Sequence, residues 1–549
     1  MLRIALVALL GVAVYAQQPP PDLILTNGKI ITVDERFSIA QAAAIRGDRI
    51  AATGTNQEIG QLAGANTRRI DLKGKAVIPG LIDNHMHLLR AAATWVKEVR
   101  FDGVDSRKQA VEMLRARVKS SAPGDWIYNI GGWAHQQFTE DPRPFTRDEL
   151  DQIAPNNPVA LQESYYQVFL NSRALALLKI EAGAPDPPEF LMGSILRDAS
   201  GKPTGVITGD IAGTRVVASK LPRVAPEQLE SSAKALVSDM NRAGLTSFGV
   251  PGCDADVLAI FQKWKAEGHL NVRISCYSGA AAGSPEAVNR SIQQLARMKL
   301  FQGDSYIDDV AFGESIYSPL HDPMFALKSN PQPEQLEAWR RIAVAIAQAG
   351  LPLHVHAELS GTIDAFLDQV EAVNKEHPIK NLRWALAHVN QINASQLERM
   401  KKLGMYAAVH PWAVINGGIM HEGFGNNASD MPPLATIQNS GIMWGLGTDG
   451  TAANQTLPFT TLSFAVTGKM AGGAKVIRQT ISREDALIAH TRKNAYFVFQ
   501  ENNLGSIQAG KLADLVVLDR DYLTVPADRI KDIRPVMTVV GGRIVYEQK

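Results

Sequence analysis

The chain has 549 residues, 45% of them hydrophobic and 20% charged, with 44 Gly and 29 Pro. That composition excludes collagenous, coiled-coil and disordered classes, and the length suits several domains or one large barrel with attachments. Lys plus Arg number 56 against 55 Asp plus Glu, a net charge of +1, so no overall field recruits nucleic acid or an anionic membrane. The expected partner is a small-molecule substrate recognised locally, with homo-oligomer formation left open.

The opening MLRIALVALLGVAVYAQQPPP has one basic residue, Arg3, an apolar run from Ile4 to Val14, and small residues at Val14 and Ala16. This pattern predicts a signal peptide over residues 1–16, cut after Ala16, and a periplasmic or secreted mature protein. The apolar run is well short of the ~20 residues needed to span a bilayer. Cys253 and Cys276 are the only cysteines. In an oxidising compartment they can pair, although two buried free thiols fit equally well, and they form no metal motif.

Residues 22–78 read as short strands, DLILTNGKIITV, AAAIRGDRIAATG and RRIDLKGKAVIPG, broken at Asn27-Gly28, Gly47-Asp48 and Lys73-Gly74, where positive φ is tolerated. The C-terminal GSIQAGKLADLVVLD and MTVVGGRIVYEQK repeat the style. The expectation is one small β-sandwich domain built from both termini, residues 17–78 and 498–549, around a main domain over 79–497.

That middle alternates apolar β-runs with helical segments. Eight strand candidates begin at Gly80, Leu245, Asn271, Asp308, Leu351, Leu382, Met405 and Ile442. Helical stretches such as PEQLEAWRRIAVAIAQAG and ASQLERMKKLG separate them. The predicted fold class is α/β, a TIM-type (β/α)8 barrel. Residues 101–225 are too long for one crossover and read as a lobe inserted over the barrel mouth.

Polar residues collect at the C-terminal ends of those strands: His85 and His87, His354 and His356, His388, His410, and Asp449. That rim is where TIM barrels build active sites. His-x-His within a strand points both imidazoles the same way, so His85 and His87 can reach one ion. Imidazole and carboxylate suit Zn²⁺ and related divalent ions. A lone histidine on an apolar strand is more often a satisfied core residue; histidines at four corresponding strand ends and an aspartate at a fifth point instead to metal. No phosphate loop and no Gly-x-Ser-x-Gly occurs, which disfavours nucleotide binding and a Ser-His-Asp mechanism.

VIPGLIDNHMHL, LHVHAE, LAHVN, GLGTDG and GSIQAGKLADLVVLD together resemble the amidohydrolase superfamily, in its family 3 branch, which includes formamide deformylases. The resemblance covers nearly the whole mature chain. It implies that His85 and His87 bind the more buried metal, that His356 and His388 are the later ligands, and that Asp449 binds metal and shuttles protons as the catalytic group. His354, two residues before His356, shares its face and competes for the ligand role. After His356-Ala357 the family continues Ile-Gly-Asp, whereas this chain has Glu358-Leu359-Ser360.

Two-metal relatives commonly carry a carbamylated lysine on the fourth strand, and DDVAFGES has none. Glu314 ends that strand and offers a bridging carboxylate in its place; Asp309, near the strand's beginning, is the weaker substitute. Without a bridge the site holds one ion. Tyr166, His410 and Trp412, with His354, are the candidate substrate contacts, and Trp133 with His135 could shape the pocket from the lobe. The functional expectation is an exported Zn²⁺-type hydrolase, with one or two ions, acting on a non-peptide C–N bond in an amide, cyclic amide or formamide. The alternatives are a mononuclear deaminase or an ester, lactone or organophosphate hydrolase, and a non-catalytic barrel scaffold.

Overall fold

A computed structural model describes residues 19–183, 185–186, 193–209, 211–279, 281–322 and 329–548. The expected signal peptide, residues 1–16, lies outside the described residues. Eight parallel strands form the central sheet: Leu81–Asp83, Leu245–Pro251, Arg273–Ser278, Ile307–Glu314, Leu353–Ala357, Ala385–His388, Tyr406–Val409 and Trp444–Leu446. Each pairs with its neighbour in chain order, as a TIM-type barrel requires. Polar bonds tie the first strand's end to the eighth's. Thr448 donates to the Asp83 carboxylate from its backbone N–H (3.1 Å) and its hydroxyl (2.6 Å), Asp449 N donates to the His85 carbonyl (3.0 Å), and His87 N donates to the Gly450 carbonyl (2.7 Å).

The crossover helices follow from local signals. In Ala394–Leu403, Asn393 and Gln396 form a reciprocal capping box, Leu397, Met400 and Leu403 bury one face at helical spacing, and Gly404 ends the helix at φ 70°. Between the first two barrel strands the chain builds a five-stranded lobe sheet, ordered Ser194–Arg197, Pro203–Thr208, Gln167–Leu170, Val159–Glu163, Ile127–Ile130. Of these, Gln167–Leu170 is not anticipated from sequence. Its four residues follow a tight reversal at Ser164, whose φ is 47°, and read as a continuation of the preceding run.

Strands from both termini share one sheet: Lys29–Ile31, Ile39–Ala40 and Ala76–Pro79 with Leu515–Leu518, Pro535–Val540 and Arg543–Glu547. A second sheet, of four strands within residues 23–71, packs against it through Leu25, Ile45, Val77, Leu515, Val517 and Val539. Fully burying each such side chain stabilises by ~1.5–3 kcal/mol. Cys253 and Cys276 form a disulfide joining the end of the second barrel strand to the third.

Candidate metal centre

The first strand stops at Asp83, so His85 and His87 lie on the loop beyond it rather than in the strand. Strand alternation therefore does not aim them. The Asp83 carboxylate does part of this work, accepting from the His85 backbone N–H at 3.1 Å as well as from Thr448. His87 stands at the N-cap position of the next short helix, Leu88–Ala91, without a side-chain capping bond. Their rings still converge, with centroids 5.3 Å apart. Asp449 likewise stands beyond its strand and His410 just past Val409, while His388 ends the sixth strand. His388 (φ 75°) and Asp449 (φ 57°) both adopt left-handed backbone, a strain of order 1–3 kcal/mol each that tends to collect at functional sites.

Glu314 lies in the middle of the ring cluster. Its carboxylate is 3.1 Å from His85 Nε2, 3.4 Å from His87 Nε2 and 3.6 Å from His388 Nε2. Asp449 Oδ1 is 3.6 Å from His85 Nε2 and 3.5 Å from His87 Nε2. Three overlapping sets have ligand atoms all within 4.8 Å of one another: His85, His87 and Asp449; Glu314, His356 and His388; His85, His388 and His410. Asp309 is elsewhere, accepting a hydrogen bond from the Ser278 hydroxyl.

The donor set fits a divalent ion on a physical criterion. His85 Nε2, His388 Nε2 and Asp449 Oδ1 are buried and lack a well-formed hydrogen bond, a costly state that an ion would relieve. The electrostatics agree. Burial, reinforced by Glu314, pushes the Asp449 carboxyl well above its ordinary range. Burial acts the same way on Glu314, but the facing His87 and His85 outweigh it and hold that carboxyl well below. Burial also drives the His87, His388, His354 and His410 imidazoles well below their usual range, keeping them in the neutral form that ligates metal.

The two fifth-strand histidines take different places. His356 joins the Glu314/His388 set. Its Nε2 faces two acceptors, the Asp322 carboxylate at 2.8 Å and the Asp322 carbonyl at 3.0 Å, so that nitrogen carries hydrogen and Nδ1 is the one left with a lone pair. His354, expected as a substrate contact, stands behind a candidate ligand instead. It is buried beneath His85, its Nε2 2.9 Å from His85 Nδ1, and stacks on Tyr277 at 4.4 Å. His410 is also a prop rather than a pocket wall: Nδ1 lies 3.0 Å from His388 Nδ1 and Nε2 lies 2.7 Å from Asn84 Oδ1. Trp412 is core, packed in the main hydrophobic cluster.

Tyr166 is half-buried, and burial, then Glu422 and Glu163, push its hydroxyl pKa up. Its neighbour Tyr165 lines the cavity beside the centre and accepts a 2.7 Å hydrogen bond from Arg90. Trp133 packs edge-on to Phe101 in the lobe core, and the His135 ring is held by Glu163 at 2.7 Å. Asp322, Glu358, Asn84 and Arg90 were not anticipated as site residues. Glu358 had a visible signal, its departure from the family's Ile-Gly-Asp. It is fully buried, accepts from Asn390 at 2.8 Å, and is pushed well up by burial and Asp322. Asp322 had none, since it stands eight residues past Glu314 in an irregular loop.

A barrel whose rim gathers imidazoles and carboxylates in this way belongs to the class of metal-dependent hydrolases. The amidohydrolase family model matches residues 68–546, and the chain belongs to that family. It is 27% identical over 545 residues to the N-substituted formamide deformylase of Arthrobacter pascens, covering 96% of this chain and 98% of that one. Among solved structures, a metal-dependent hydrolase from Pyrococcus furiosus superposes with a TM-score of 0.62 at 21% identity, over 91% of this chain and all of that one. Atrazine chlorohydrolase from Arthrobacter aurescens TC1, complexed with zinc, gives 0.52 at 15% identity, over 96% and 95%.

Proposed function

We propose that the protein is an exported, zinc-dependent hydrolase that cleaves the C–N bond of a small amide or formamide. The observation that carries this is the convergence of buried, unsatisfied ligand atoms from His85, His388 and Asp449 around the Glu314 carboxylate. His85, His87 and Asp449 would hold one ion, and His356 with His388 the second, with Glu314 between them. When bound, such an ion lowers the pKa of water from 15.7 toward ~7 and polarises the carbonyl. Asp449, its proton affinity raised by burial, accepts the proton of the attacking water and returns it to the departing nitrogen, which would otherwise leave as a poor amide anion. Arg90 lies near enough to Asp449 and Glu314 for their charges to stabilise its own, which keeps a fixed positive charge beside the reaction.

The formamide deformylase relative supports the choice of bond, and the zinc-bound neighbour supports the choice of ion. The Cys253–Cys276 disulfide supports export, because such bonds persist in oxidising compartments. The test is a panel of N-formyl, N-acyl, cyclic-amide and ester substrates assayed with metal analysis. Amide or formamide turnover that follows zinc content is expected. Purified protein that binds no metal, or that turns over only esters when loaded, would overturn the reading. N-terminal sequencing from the native host should begin at Gln17.

A further inference from the structure

Beside the metal centre, on its lobe side, lies a cavity of about 360 Å³ whose lining includes Arg90, Tyr165, Arg215, Arg223 and Ala452. Two of its walls come from the centre's own segments: Arg90 follows His87 by three residues, and Ala452 follows Asp449 by three. Arg215 comes from the helix Ile211–Ala218, and Arg223 from the segment after it. Three guanidinium groups thus border one small space in a chain whose net charge is only +1.

Their partners are what make the cluster informative. Arg90 donates to the Tyr165 hydroxyl rather than to a carboxylate. Neither Arg215 nor Arg223 has a carboxylate within ion-pair distance among the described residues. The one acid on the lining, Glu98, is already engaged by Arg100 Nη1 at 3.0 Å, the Thr94 hydroxyl at 2.6 Å and the Ile130 backbone N–H at 3.1 Å. Elsewhere the pattern is the opposite, as with Arg399, which meets Glu371, Asp368 and Asp364. The cluster also reaches the reacting centre: Arg90 interacts electrostatically with Glu314 and Asp449, and Arg215 with His321, which stacks on His356 at 3.7 Å.

We infer that this cavity receives a carboxylate carried by the substrate, so that the enzyme acts on amides bearing an anionic group rather than on neutral ones. Planar guanidinium forks match carboxylate oxygens two at a time, and the Tyr165 hydroxyl adds a neutral hydrogen-bonding group. The inference rests on the amide-hydrolase reading and adds the substrate's charge to it. A carboxylate held there is remote from the scissile carbonyl, so its recognition appears in binding more than in turnover.

The test uses two matched pairs: N-formylphenylalanine against N-formyl-2-phenylethylamine, and N-phenethylsuccinamate against N-phenethylbutanamide. With zinc-loaded enzyme, the charged member of at least one pair should have a kcat/KM about tenfold higher, the scale of one charge-assisted hydrogen bond. The advantage should shrink as salt rises. In the Arg215→Gln/Arg223→Gln double variant that preference should vanish through KM, while thermal unfolding stays at the wild-type temperature, since both side chains are exposed. Equal rates within both pairs, or a preference that survives the double substitution, would overturn the inference while leaving amide hydrolysis standing. If no member is hydrolysed, calorimetric binding of the same compounds decides. Tighter binding of a charged member that the double variant loses supports the carboxylate site, and equal binding sinks it.

Discussion

The two ends of the barrel bury comparable charge and treat it in opposite ways. At the N-terminal end, Arg273 opens the third strand and meets Asp514 from the terminal β-sheet. Its Nε and Nη2 each donate to an Asp514 oxygen at 2.8 Å, Nη1 donates to the Ser305 carbonyl at 3.0 Å, and Gly541 N completes the carboxylate at 2.8 Å. The guanidinium also lies 4.4 Å over the Tyr306 ring. At the C-terminal end, Asp449, Glu358, His85 and His388 each keep a buried atom without a hydrogen bond. Leaving such a group unsatisfied costs ~1–3 kcal/mol. Buried charge is therefore not itself the mark of a site. The mark is buried charge that the protein leaves unmatched, at the end of the barrel where loops converge.

The contrast breaks most visibly by neutralising one carboxylate at each end. Asp449→Asn should lower turnover by ~10³–10⁴, the upper range for loss of a general acid–base group. The metal-free variant should be no less stable than the metal-free wild type, because the substitution removes an unmatched buried charge. Steady-state rates beside denaturant unfolding of the metal-free proteins check both halves; an Asp449→Asn protein that is active, or clearly less stable, contradicts the contrast. Asp514→Asn should do the reverse. It strands the Arg273 guanidinium and should cost ~3–5 kcal/mol of stability, while turnover per folded molecule and metal content hold. Unchanged unfolding in that variant would show that the lower pair does not hold the β-sheet to the barrel.

Much of this was readable in the residues, and the limits were physical. The eight barrel strands are short apolar runs between capped amphipathic helices, so local periodicity reveals them. Glu314 could be singled out because it occupies the strand end where relatives carry lysine. The division of labour between His354 and His356 could not, because alternation puts both side chains on one face. Only the third dimension sends one under His85 and the other to Asp322. His410 looked like a rim residue for the same reason, since sequence gives depth along a strand but not which neighbour a ring meets. Arg273 and Asp514 are 241 positions apart, and nothing local in either segment announces their pairing.

Glu314→Gln sharpens the contrast within the mouth itself. Glu314 is the carboxylate that approaches His85, His87 and His388 at once, and on the proposed two-ion reading its negative charge would screen the repulsion of the ions held on either side. Its amide cannot. The variant should fold normally, hold metal closer to one equivalent than two, and turn over ~10²-fold more slowly, the scale of a displaced catalytic centre. Metal analysis and kinetics together read this out. Wild-type protein that holds one tight ion, with a Glu314→Gln variant of full activity, would favour a mononuclear centre.

The smallest expected effect concerns His410 and tests whether the mouth is ordered beneath its ligand atoms. For His388 to offer a lone pair at Nε2, its Nδ1 must carry the hydrogen and donate it to His410 Nδ1, 3.0 Å away. His410 must then carry its own hydrogen on Nε2, which lies 2.7 Å from the Asn84 oxygen. That oxygen accepts, because the Asn84 amide nitrogen is already donating to Asn494 at 2.7 Å, and Asn494 in turn donates to the carbonyls of Ile82 and Leu446. Each step has one consistent direction, so backbone carbonyls of the first and eighth strands set the tautomer of His388. Replacing His410 with alanine removes the acceptor, lets His388 place its hydrogen on either nitrogen, and frees the ring to turn. Zinc affinity should fall by ~10–100-fold, as for other supports behind a ligand, with the unfolding of the metal-free protein changed far less than in Asp514→Asn. A competitive chelator titration measures it, and undiminished affinity in His410→Ala would mean that His388 is oriented by the strand alone.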